Sequence, residues 1–482
     1  MSQQRRLHSV MLLQPNYTWL GKRTWKLIPY GLGLINACLK QAGYRSWIFD
    51  PNFDDLTEED VRAELRRTRP DVVGITSSST EYVQEPRLVS RIIREELPET
   101  TIVLGGVLPT LVLEQAAEDA NVDYFVLGEG EVRMVQLLDA LNSGGDLSAI
   151  DGVAYGTPLT VQPPVSFISD LDAIPLPDYG GLDFLRYARQ PSRYAHHFHP
   201  RQFPFAATVT SRGCPYHCIF CAGHLLTGRK IRVRSAASVL AEIDSLVEHY
   251  GIREVIFLDD HFLADRPRVV DILGGLLERR YDLMWKCANL NVMSLDDELL
   301  DLMHNTGCYQ MTISVESGNP HVLKDIVKKP FDLAKVPGIV DAAKARGFEI
   351  AANFIIGFPG ETWDEIRDTF RYAEALHADE VNFHIATPLP KTELLEICAR
   401  EGYIKHGQGE QQFGYTTGLV ETPEFKPVEL QTLRAYEWDR INFSSPTRKA
   451  TIARMEGITL QELEEWRVRT RANLGTTIGW KE

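Results

Sequence analysis

The sequence has no apolar run near the about 18–20 residues that a membrane-spanning helix needs. No signal-peptide pattern follows its polar N-terminus, so we expect a cytoplasmic protein without a transmembrane segment. Basic residues are not in excess: the formal net charge is −15, which argues against a nucleic-acid partner. Cysteines are few and odd in number, seven in 482 residues. That count argues against a disulfide framework and favours metal or redox use.

Residues 1–142 alternate short β-rich runs with amphipathic helical segments, which is typical of βαβ units around a parallel sheet. The runs cover residues 9–15, 44–50, 72–77, 101–106 and 124–130. We therefore predict an α/β domain of five strands, flavodoxin-like or Rossmann-like. Its ligand edge should lie at the carboxyl ends of the strands.

The rest of the chain divides into three further parts. Residues 143–205 are rich in proline and glycine and are expected to form a connector. Residues 206–395 contain six longer βα units and predict a partial (β/α)6 TIM-type barrel. Residues 396–482 predict a C-terminal helical domain. The six barrel strands are expected at residues 206–211, 254–260, 283–290, 309–316, 349–356 and 380–386.

Three cysteines crowd into one loop after the first barrel strand. Cys214, Cys218 and Cys221 have the spacing Cys-x3-Cys-x2-Cys. Three thiolates on such a loop can hold a 4Fe–4S cluster and leave the fourth iron open. A structural zinc site is the alternative, with His217 or His224 as the fourth ligand. The other four cysteines are expected in buried packing positions: Cys38, Cys287, Cys308 and Cys398.

With Phe220 between the last two cysteines, this loop resembles the signature of the radical S-adenosylmethionine (SAM) superfamily. The resemblance implies that the open iron binds SAM. It also implies that one electron from an external donor, such as flavodoxin or ferredoxin, releases a 5′-deoxyadenosyl radical. Later strand ends resemble the SAM-contacting motifs of the family, which implies these contacts: Phe220, Asp259, Asp260, Ser314, Glu316, Asn353, Gly357 and Phe358. For Asp260 and Glu361, capping of the next helix is an open alternative.

Motifs in the N-terminal domain resemble the cobalamin-binding class B branch of that superfamily. They imply the following cobalamin contacts: Tyr30, Gly31, Ser77, Ser78, Ser79, Gly105, Gly106, Val107, Gly128, Glu129 and Gly130. Many cobalamin domains bind cobalt through a histidine in the loop after the first strand, but here that loop, residues 14–19, has none. His8 precedes the first strand, so we expect no histidine from this domain on cobalt. The alternative is a domain that serves only as a lid or dimer surface.

The resemblance implies a cobalamin-dependent radical SAM enzyme. It would abstract hydrogen from a small-molecule substrate and transfer a methyl group to an unactivated carbon. A cyclase, ring-rearranging or carbon–carbon coupling enzyme of the same branch is the alternative, and a non-catalytic metal-binding protein is a distant one. A tRNA methylthiotransferase is disfavoured because that family has three more cysteines in the N-terminal domain, where this chain has only Cys38. The motifs assign no catalytic residue beyond the cofactor contacts.

Overall fold

The fold is taken from a computed structural model, which describes residues 6–21, 26–164, 166–190, 199–329, 331–404 and 418–472. The chain forms two compact units. The first unit comprises residues 1–194, 212–214 and 223–245, and the second comprises residues 195–211, 215–222 and 246–482. This division differs from the four parts expected from the sequence. The expected connector belongs to the first unit as far as residue 194, and the C-terminal helices belong to the second.

A seven-stranded sheet forms the centre of the first unit. Its strands are β1 (Ser9–Leu13), β2 (Arg45–Phe49), β3 (Val72–Ser77), β4 (Thr101–Gly106), β5 (Tyr124–Val126), β6 (Val153–Tyr155) and β7 (Thr160–Val161). The strand order is β2-β1-β3-β4-β5-β6-β7. The first five strands are parallel in the flavodoxin order, which confirms the predicted fold. β6 and β7 add to the sheet antiparallel and come from the expected connector, where glycines and prolines flank two very short strands.

Both faces of this sheet are covered by helices. They are α1 (Tyr30–Gln41), α2 (Glu58–Thr68), α3 (Gln84–Glu96), α4 (Val107–Leu111), α5 (Leu113–Ala116) and α6 (Gly130–Ser143), and the short α7 (Phe184–Ala188) follows within the expected connector. Successive β1 side chains enter different cores: Met11 and Leu13 pack in one cluster, Val10 and Leu12 in the other. The two-residue alternation of a strand explains this division.

A six-stranded parallel sheet forms the centre of the second unit. Its strands are β8 (Phe205–Thr208), β11 (Glu254–Phe257), β12 (Met284–Leu290), β13 (Cys308–Glu316), β14 (Glu349–Ile356) and β15 (Glu380–Ile385). They lie side by side in chain order, as expected for a partial barrel of six βα units. Two further short strands lie outside both large sheets: β9 (Ser211–Arg212) and β10 (Arg232–Val233).

The remaining helices follow the strands and form the C-terminal part of the chain. They are α8 (Gly223–Thr227), α9 (Ala236–Tyr250), α10 (Arg266–Arg279), α11 (Asp297–Asn305), α12 (Val336–Ala345), α13 (Trp363–Ala375), α14 (Glu393–Glu401), α15 (Pro427–Asn442), α16 (Pro446–Glu456) and α17 (Leu460–Ala472). None of the helices within the described ranges is long and apolar enough to cross a membrane.

The two faces of the barrel sheet differ in polarity. On the outer face, Phe383 of β15 packs against Phe370 of α13, with ring centroids 4.7 Å apart. On the inner face, Ser314, Asn353 and His384 are partly exposed near the carboxyl ends of their strands. This polar inner face lies where parallel barrels place their chemistry.

Candidate functional site

The seven cysteines fall into two groups by exposure. Cys214, Cys218 and Cys221 are partly exposed, and the other four are buried. Burial raises the pKa of the Cys38 thiol to about 11 and that of Cys398 to about 12. Burial also raises the pKa values of the other two buried thiols: Cys287 and Cys308. The packing role predicted for these four is confirmed, and the loop thiols are the ones placed to become thiolate ligands.

Backbone hydrogen bonds in the second unit fix the later part of the cysteine loop. The Cys221 amide donates to the Cys218 carbonyl oxygen at 3.1 Å, which closes a turn. Between these cysteines, buried Ile219 donates its amide to the Val327 carbonyl oxygen at 3.2 Å and accepts from the Leu394 amide at 2.9 Å. The two thiols therefore sit on a turn anchored on both sides.

The first part of the loop belongs to the first unit. There a glycine lets the backbone pass close to the segment that contains Lys230. Gly213 has φ 94°, and a Cβ there would collide with the Lys230 carbonyl oxygen. The next residue, Cys214, donates its amide to the Gly228 carbonyl oxygen at 3.1 Å. A left-handed backbone so close to another segment requires glycine.

Asp259 anchors the segment just before the loop. This buried carboxylate accepts from the Thr210 amide at 3.1 Å, the Thr210 hydroxyl at 2.7 Å and the Ser211 hydroxyl at 2.5 Å. Arg268 in turn donates to the Thr210 hydroxyl at 2.6 Å. Burial raises the pKa of Asp259 in spite of these donors. The adjacent Asp260 is exposed, and contact of either aspartate with SAM stays a prediction.

A buried ion pair lies beside the loop, and sequence reasoning identified only its acid. The Lys329 ammonium donates to Glu316 Oε1 at 2.8 Å and to the Ser314 carbonyl oxygen at 2.9 Å. Burial alone would lower the pKa of Lys329. The charge of Glu316, its hydrogen bond and the Cys218 sulfur outweigh that effect and raise the pKa. Lys329 therefore places a positive charge near Cys218. A charge in this position would stabilise an anionic cluster or a carboxylate ligand.

Sequence reasoning also missed His261, which follows the Asp259-Asp260 pair. Its ring stacks on Tyr216 of the cysteine loop, with centroids 5.9 Å apart and planes 16° apart. Asn291 holds Tyr216 through a 2.6 Å hydrogen bond from its amide nitrogen to the phenol oxygen. Burial, aided by the Lys329 charge, lowers the pKa of His261, and its buried Nδ1 has no hydrogen-bond partner among the described residues. A neutral imidazole, whose Nδ1 has no hydrogen-bond partner among the described residues, thus lies against the cysteine loop.

Two predicted SAM contacts, Phe220 and Phe358, lie next to each other. Their ring centroids are 5.9 Å apart. The Gly357 and Phe358 amides donate to Glu361 Oε2 at 2.6 and 3.0 Å, so Glu361 fixes the turn after β14. Burial raises the pKa of Glu361 to about 8. Glu361 therefore has an internal structural role, but it holds the preceding turn and does not cap the next helix, which Thr362 caps.

The inner face of the barrel sheet contains polar atoms that fit a ligand. Ser314 donates its hydroxyl to Asn289 Oδ1 at 2.8 Å. In the neighbouring strand Asn353 is in register with Ser314, and its buried Oδ1 has no partner within the described part of the chain. A buried amide oxygen without a partner is costly unless a ligand supplies a donor.

In the first unit, the predicted cobalamin contacts gather at one edge of the sheet. Ser77 and Gly106 are in register at the ends of β3 and β4. Gly106 has φ 93°, and a Cβ there would collide with the Ser77 carbonyl oxygen. Ser77 is buried and donates to the Ser79 carbonyl oxygen at 3.1 Å, whereas Ser78 is exposed.

Thr110 connects this edge to the end of β5. Its hydroxyl donates to the Gly106 carbonyl oxygen at 2.7 Å and accepts from the Gly128 amide at 2.8 Å. Gly105, Gly128 and the side chain of Val107 are partly exposed, which leaves backbone there accessible to a flat ligand. The residues at this edge therefore fit the cobalamin tail or ring.

Other residues predicted to contact cobalamin have partners within the unit. Glu129 is buried and accepts from Arg212 at 3.1 Å, Arg232 at 2.9 Å and the Ile168 amide at 2.7 Å. The hydroxyl of Tyr30 donates to Glu242 at 3.4 Å. Gly31 and Gly130 occupy the first turns of α1 and α6. Cobalamin contact by these four residues stays a prediction.

An aromatic residue occupies the loop from which a cobalt-binding histidine is missing. Asn16 caps a short 3₁₀ turn, Tyr17–Leu20. Tyr17 is buried, accepts from the Ser78 hydroxyl at 3.1 Å, and stacks on Tyr82 with ring centroids 4.0 Å apart. Among the described residues, no three His, Cys, Asp or Glu side chains are grouped as ligands of a single metal ion.

Comparison with known proteins identifies both parts of the chain. Residues 208–373 match the Radical SAM superfamily, and residues 20–138 match the B12 binding domain. An uncharacterized methyltransferase of Pyrococcus horikoshii is 32% identical over 373 residues, which cover 77% of this chain and 78% of that protein. The chain belongs to the cobalamin-dependent radical SAM enzymes.

Other relatives in the cobalamin-dependent radical SAM family catalyse different reactions. The cytidylyl-2-hydroxyethylphosphonate methyltransferase of Streptomyces wedmorensis is 28% identical, with 87% of each chain covered. The anaerobic magnesium-protoporphyrin IX monomethyl ester cyclase of Rubrivivax gelatinosus is also 28% identical, over 87% of this chain and 73% of that protein.

Solved structures show the same fold. The radical SAM methyltransferase TsrM of Kitasatospora setae, with cobalamin and a 4Fe–4S cluster bound, superposes with a TM-score of 0.68 at 21% identity, over 83% of this chain and 76% of that one. The cobalamin-dependent radical SAM enzyme OxsB superposes with a TM-score of 0.71 at 17% identity, over 97% and 72%.

The cofactors of this radical SAM chain are a 4Fe–4S cluster, SAM and cobalamin, as its two domains require. The residues described above fit these groups: three accessible thiols, an amide oxygen without a partner among the described residues, and a glycine-lined sheet edge. In the C-terminal helices, Trp438 is buried and Arg440 pairs with Glu374.

Proposed function

We propose that the chain is a methyltransferase that acts on an unactivated carbon of a small molecule. The observation that carries this proposal is the similarity to the cytidylyl-2-hydroxyethylphosphonate methyltransferase of Streptomyces, which spans 87% of each chain. The uncharacterized methyltransferase of Pyrococcus is similar over more than three quarters of both chains. When bound, the cluster and SAM supply a radical that removes a hydrogen atom, and cobalamin supplies the methyl group.

The cysteine loop and its neighbours form the proposed SAM site. Cys214, Cys218 and Cys221 hold the cluster, in keeping with their exposure and with the turn that fixes the last two. Phe220 and Phe358 flank the adenine, since their rings already lie together and the Glu361 hydrogen bonds hold the turn. The other predicted contacts complete the site: Asp259, Asp260, Ser314, Glu316, Asn353 and Gly357.

The glycine-lined edge of the first sheet is the proposed cobalamin site, within a domain of residues 1–142. Ser78, Gly105, Gly106 and Gly128 are the contacts that the geometry supports best, because all are accessible at one edge. The loop after β1, residues 14–19, has no histidine that could bind cobalt, and buried Tyr17 with its hydrogen bond from Ser78 shapes this loop.

Radical SAM enzymes act on small-molecule substrates and need an external electron donor. A flavodoxin or ferredoxin is the proposed donor, and the cytoplasm is the proposed compartment. The net charge of −15 suits neither DNA nor RNA as a partner.

A ring-forming or carbon–carbon coupling reaction is the second candidate. The similarity to the Rubrivivax cyclase, over 87% of this chain, is the observation that favours it. It uses the same cofactor motifs and differs in that no methyl group leaves SAM.

The two candidates are separated by the products formed from SAM. Anaerobically reconstituted protein, loaded with hydroxocobalamin and a reductant, is incubated with SAM, and nucleosides are measured by mass spectrometry. A methyltransferase yields S-adenosylhomocysteine as well as 5′-deoxyadenosine. Deoxyadenosine without any S-adenosylhomocysteine from cobalamin-loaded protein contradicts methyl transfer and supports the second candidate. The Cys218→Ser variant is the control and yields no deoxyadenosine.

A further inference from the structure

Helix α15 covers the free edge of β15, the last strand of the barrel sheet. Asn442 accepts from the Val381 amide at 2.8 Å and donates to the Val381 carbonyl oxygen at 2.7 Å. Arg434, two turns earlier in the helix, donates to the Phe383 carbonyl oxygen at 3.1 Å. Side chains of α15 thus take the hydrogen bonds that a seventh strand would otherwise make.

The first half of α15 lies at the mouth of the barrel. A Cβ on Gly357, just after β14, would collide with a methyl group of Leu430. A Cβ on Gly418 would lie 3.2 Å from Pro427, the first residue of α15, and 3.4 Å from Ile385, the last residue of β15. Arg434, one turn after Leu430, is therefore close to the carboxyl ends of the strands, where barrel ligands bind.

Arg434 has no acidic partner within the described residues, in contrast to Arg440 and Arg467. Arg440, on the same helix, pairs with Glu374 at 2.7 Å, and Arg467 pairs with Asp439 at 2.8 Å. The Nε atom of Arg434 is buried and has no hydrogen-bond partner among the described residues. Burial lowers the pKa of Arg434 to about 10, and no carboxylate in the described part of the chain opposes this effect. A cation kept in such a place is costly, and an anionic ligand would offset that cost.

A second unused donor flanks the strand residue that Arg434 contacts. Asn382 precedes Phe383, is buried, and its Nδ2 has no partner in the part of the chain that the structure describes. His384 follows Phe383 and is partly exposed on the inner face. A cation and an amide donor beside the same strand together suit an acceptor with negative charge, which is an oxyanion.

We propose that Arg434 binds a carboxylate or phosphate group of the substrate, with Asn382 as a second donor. The inference rests on the proposed function because it assigns a charge class to the substrate of the same barrel. A guanidinium matches the planar oxygen pairs of such groups and stays charged even when partly buried.

The experiment measures anion binding and needs no turnover. Cluster-loaded full-length protein is titrated with potassium phosphate, and separately with potassium acetate, at constant ionic strength in chloride. We expect at least one of the two anions to raise the apparent unfolding temperature of the wild type saturably, by about 1–3 °C. Arg434→Gln keeps an amide donor for the Phe383 carbonyl oxygen and should lose at least two thirds of that shift. Arg434→Lys, which keeps the charge, should retain part of it.

Arg440→Gln is the matched control, since it removes an exposed arginine of the same helix that already has acidic partners. Its response to the anions should equal that of the wild type. An equal response of Arg434→Gln and the wild type overturns the proposal. So does a wild type that responds to neither anion, because Arg434 would then serve only to cap the edge strand.

A SAM titration tests whether the carboxylate bound by Arg434 belongs to the substrate or to SAM. SAM should bind to the wild type and to Arg434→Gln with affinities within about twofold of each other. A tenfold loss in the variant would place the SAM carboxylate at Arg434 and overturn the assignment to substrate. A protein that binds phosphate through Arg434 but forms no S-adenosylhomocysteine would refute methyl transfer alone.

Discussion

The ammonium group of Lys329 is bound by Glu316 Oε1 at 2.8 Å, in a buried pair beside the cysteine loop. Glu316 has a left-handed backbone, with φ 68°, which non-glycine residues adopt only when their surroundings compel it. The strain lies at the end of β13, where the sequence predicts a SAM contact. The pair therefore positions both a charge and a carboxylate next to Cys218.

Replacing Lys329 should weaken SAM binding more than cluster binding. Lys329→Met leaves Glu316 buried without its cation, which costs about 3–5 kcal/mol in comparable pairs. We expect the Kd for SAM to rise about tenfold or more. Equilibrium binding to reconstituted protein measures this. Lys328→Gln, which alters the exposed neighbouring residue, should bind SAM as the wild type does. Equal affinities of Lys329→Met and the wild type for SAM would show that the Lys329–Glu316 ion pair does not contribute to SAM binding.

The two adjacent aspartates after β11 should respond differently to alanine. Asp259→Ala leaves the Thr210 and Ser211 donors without their acceptor, which costs about 1–3 kcal/mol for each buried group. We expect the segment before Cys214 to loosen and the iron content after reconstitution to fall. Asp260→Ala, at the exposed neighbour, should retain the cluster. Loss of SAM affinity in Asp260→Ala with iron intact would support its predicted contact, whereas full iron in Asp259→Ala would contradict the anchoring role.

Glu361 should make the protein less stable as the pH rises. Its pKa is raised from 4.5 to about 8 in the folded state. The folded chain therefore holds this proton more tightly than the unfolded chain does. The stability that it contributes is present below pH 4.5 and is lost as the pH rises towards 8. Glu361→Gln keeps the acceptor for the Gly357 and Phe358 amides, and should flatten the pH dependence of the urea midpoint between pH 5 and 8.

Asp368, in the helix that follows Glu361, provides the control for that measurement. Hydrogen bonds from Arg371 and Asn319 lower the pKa of Asp368 overall, although burial opposes the shift. Its contribution is lost only as the pH falls through that lowered value, so it is constant between pH 5 and 8. Asp368→Asn should shift the urea midpoint equally at every pH in this range. A Glu361→Gln protein with the slope of the wild type would refute the assignment.

Replacing Gly31 with alanine tests the predicted cobalamin site without disturbing the fold. A Cβ at Gly31 would meet no atom within 4 Å, so Gly31→Ala should maintain stability or increase it by about 0.4–1 kcal/mol. If cobalamin approaches this backbone, the methyl group should reduce the hydroxocobalamin retained after gel filtration. Gly274→Ala, at an equally open position in α10, should leave retention unchanged. Unaltered retention in Gly31→Ala would remove this residue from the predicted site.

The sequence predicted the features that depend on local pattern. Alternating apolar runs located the five parallel strands of the first sheet and all six strands of the barrel sheet within a few residues. The cysteine spacing predicts a cluster loop because its three cysteines are neighbours in the chain, and their role as cluster ligands stays a prediction. β6 and β7 were missed because strands of three and two residues carry almost no periodicity.

Features that depend on contacts between distant residues were not predictable. Lys329 and His261 have no local motif, and their positions beside Cys218 and Tyr216 follow from how the strands pair. Arg434 is informative only because no acid among the described residues lies near it, and a missing partner cannot be read from a sequence. Glu129 was assigned to cobalamin from its loop, although Arg212 and Arg232, far along the chain, already bind it.

The cofactor content of one anaerobically reconstituted sample decides whether the chain holds both cofactors. We expect about four iron atoms per chain together with one bound cobalamin. We also expect Cys218→Ser to lose the iron while the cobalamin is retained. Zinc in place of iron, a cluster that survives the loss of Cys218, or an intact cluster without any cobalamin would contradict this expectation.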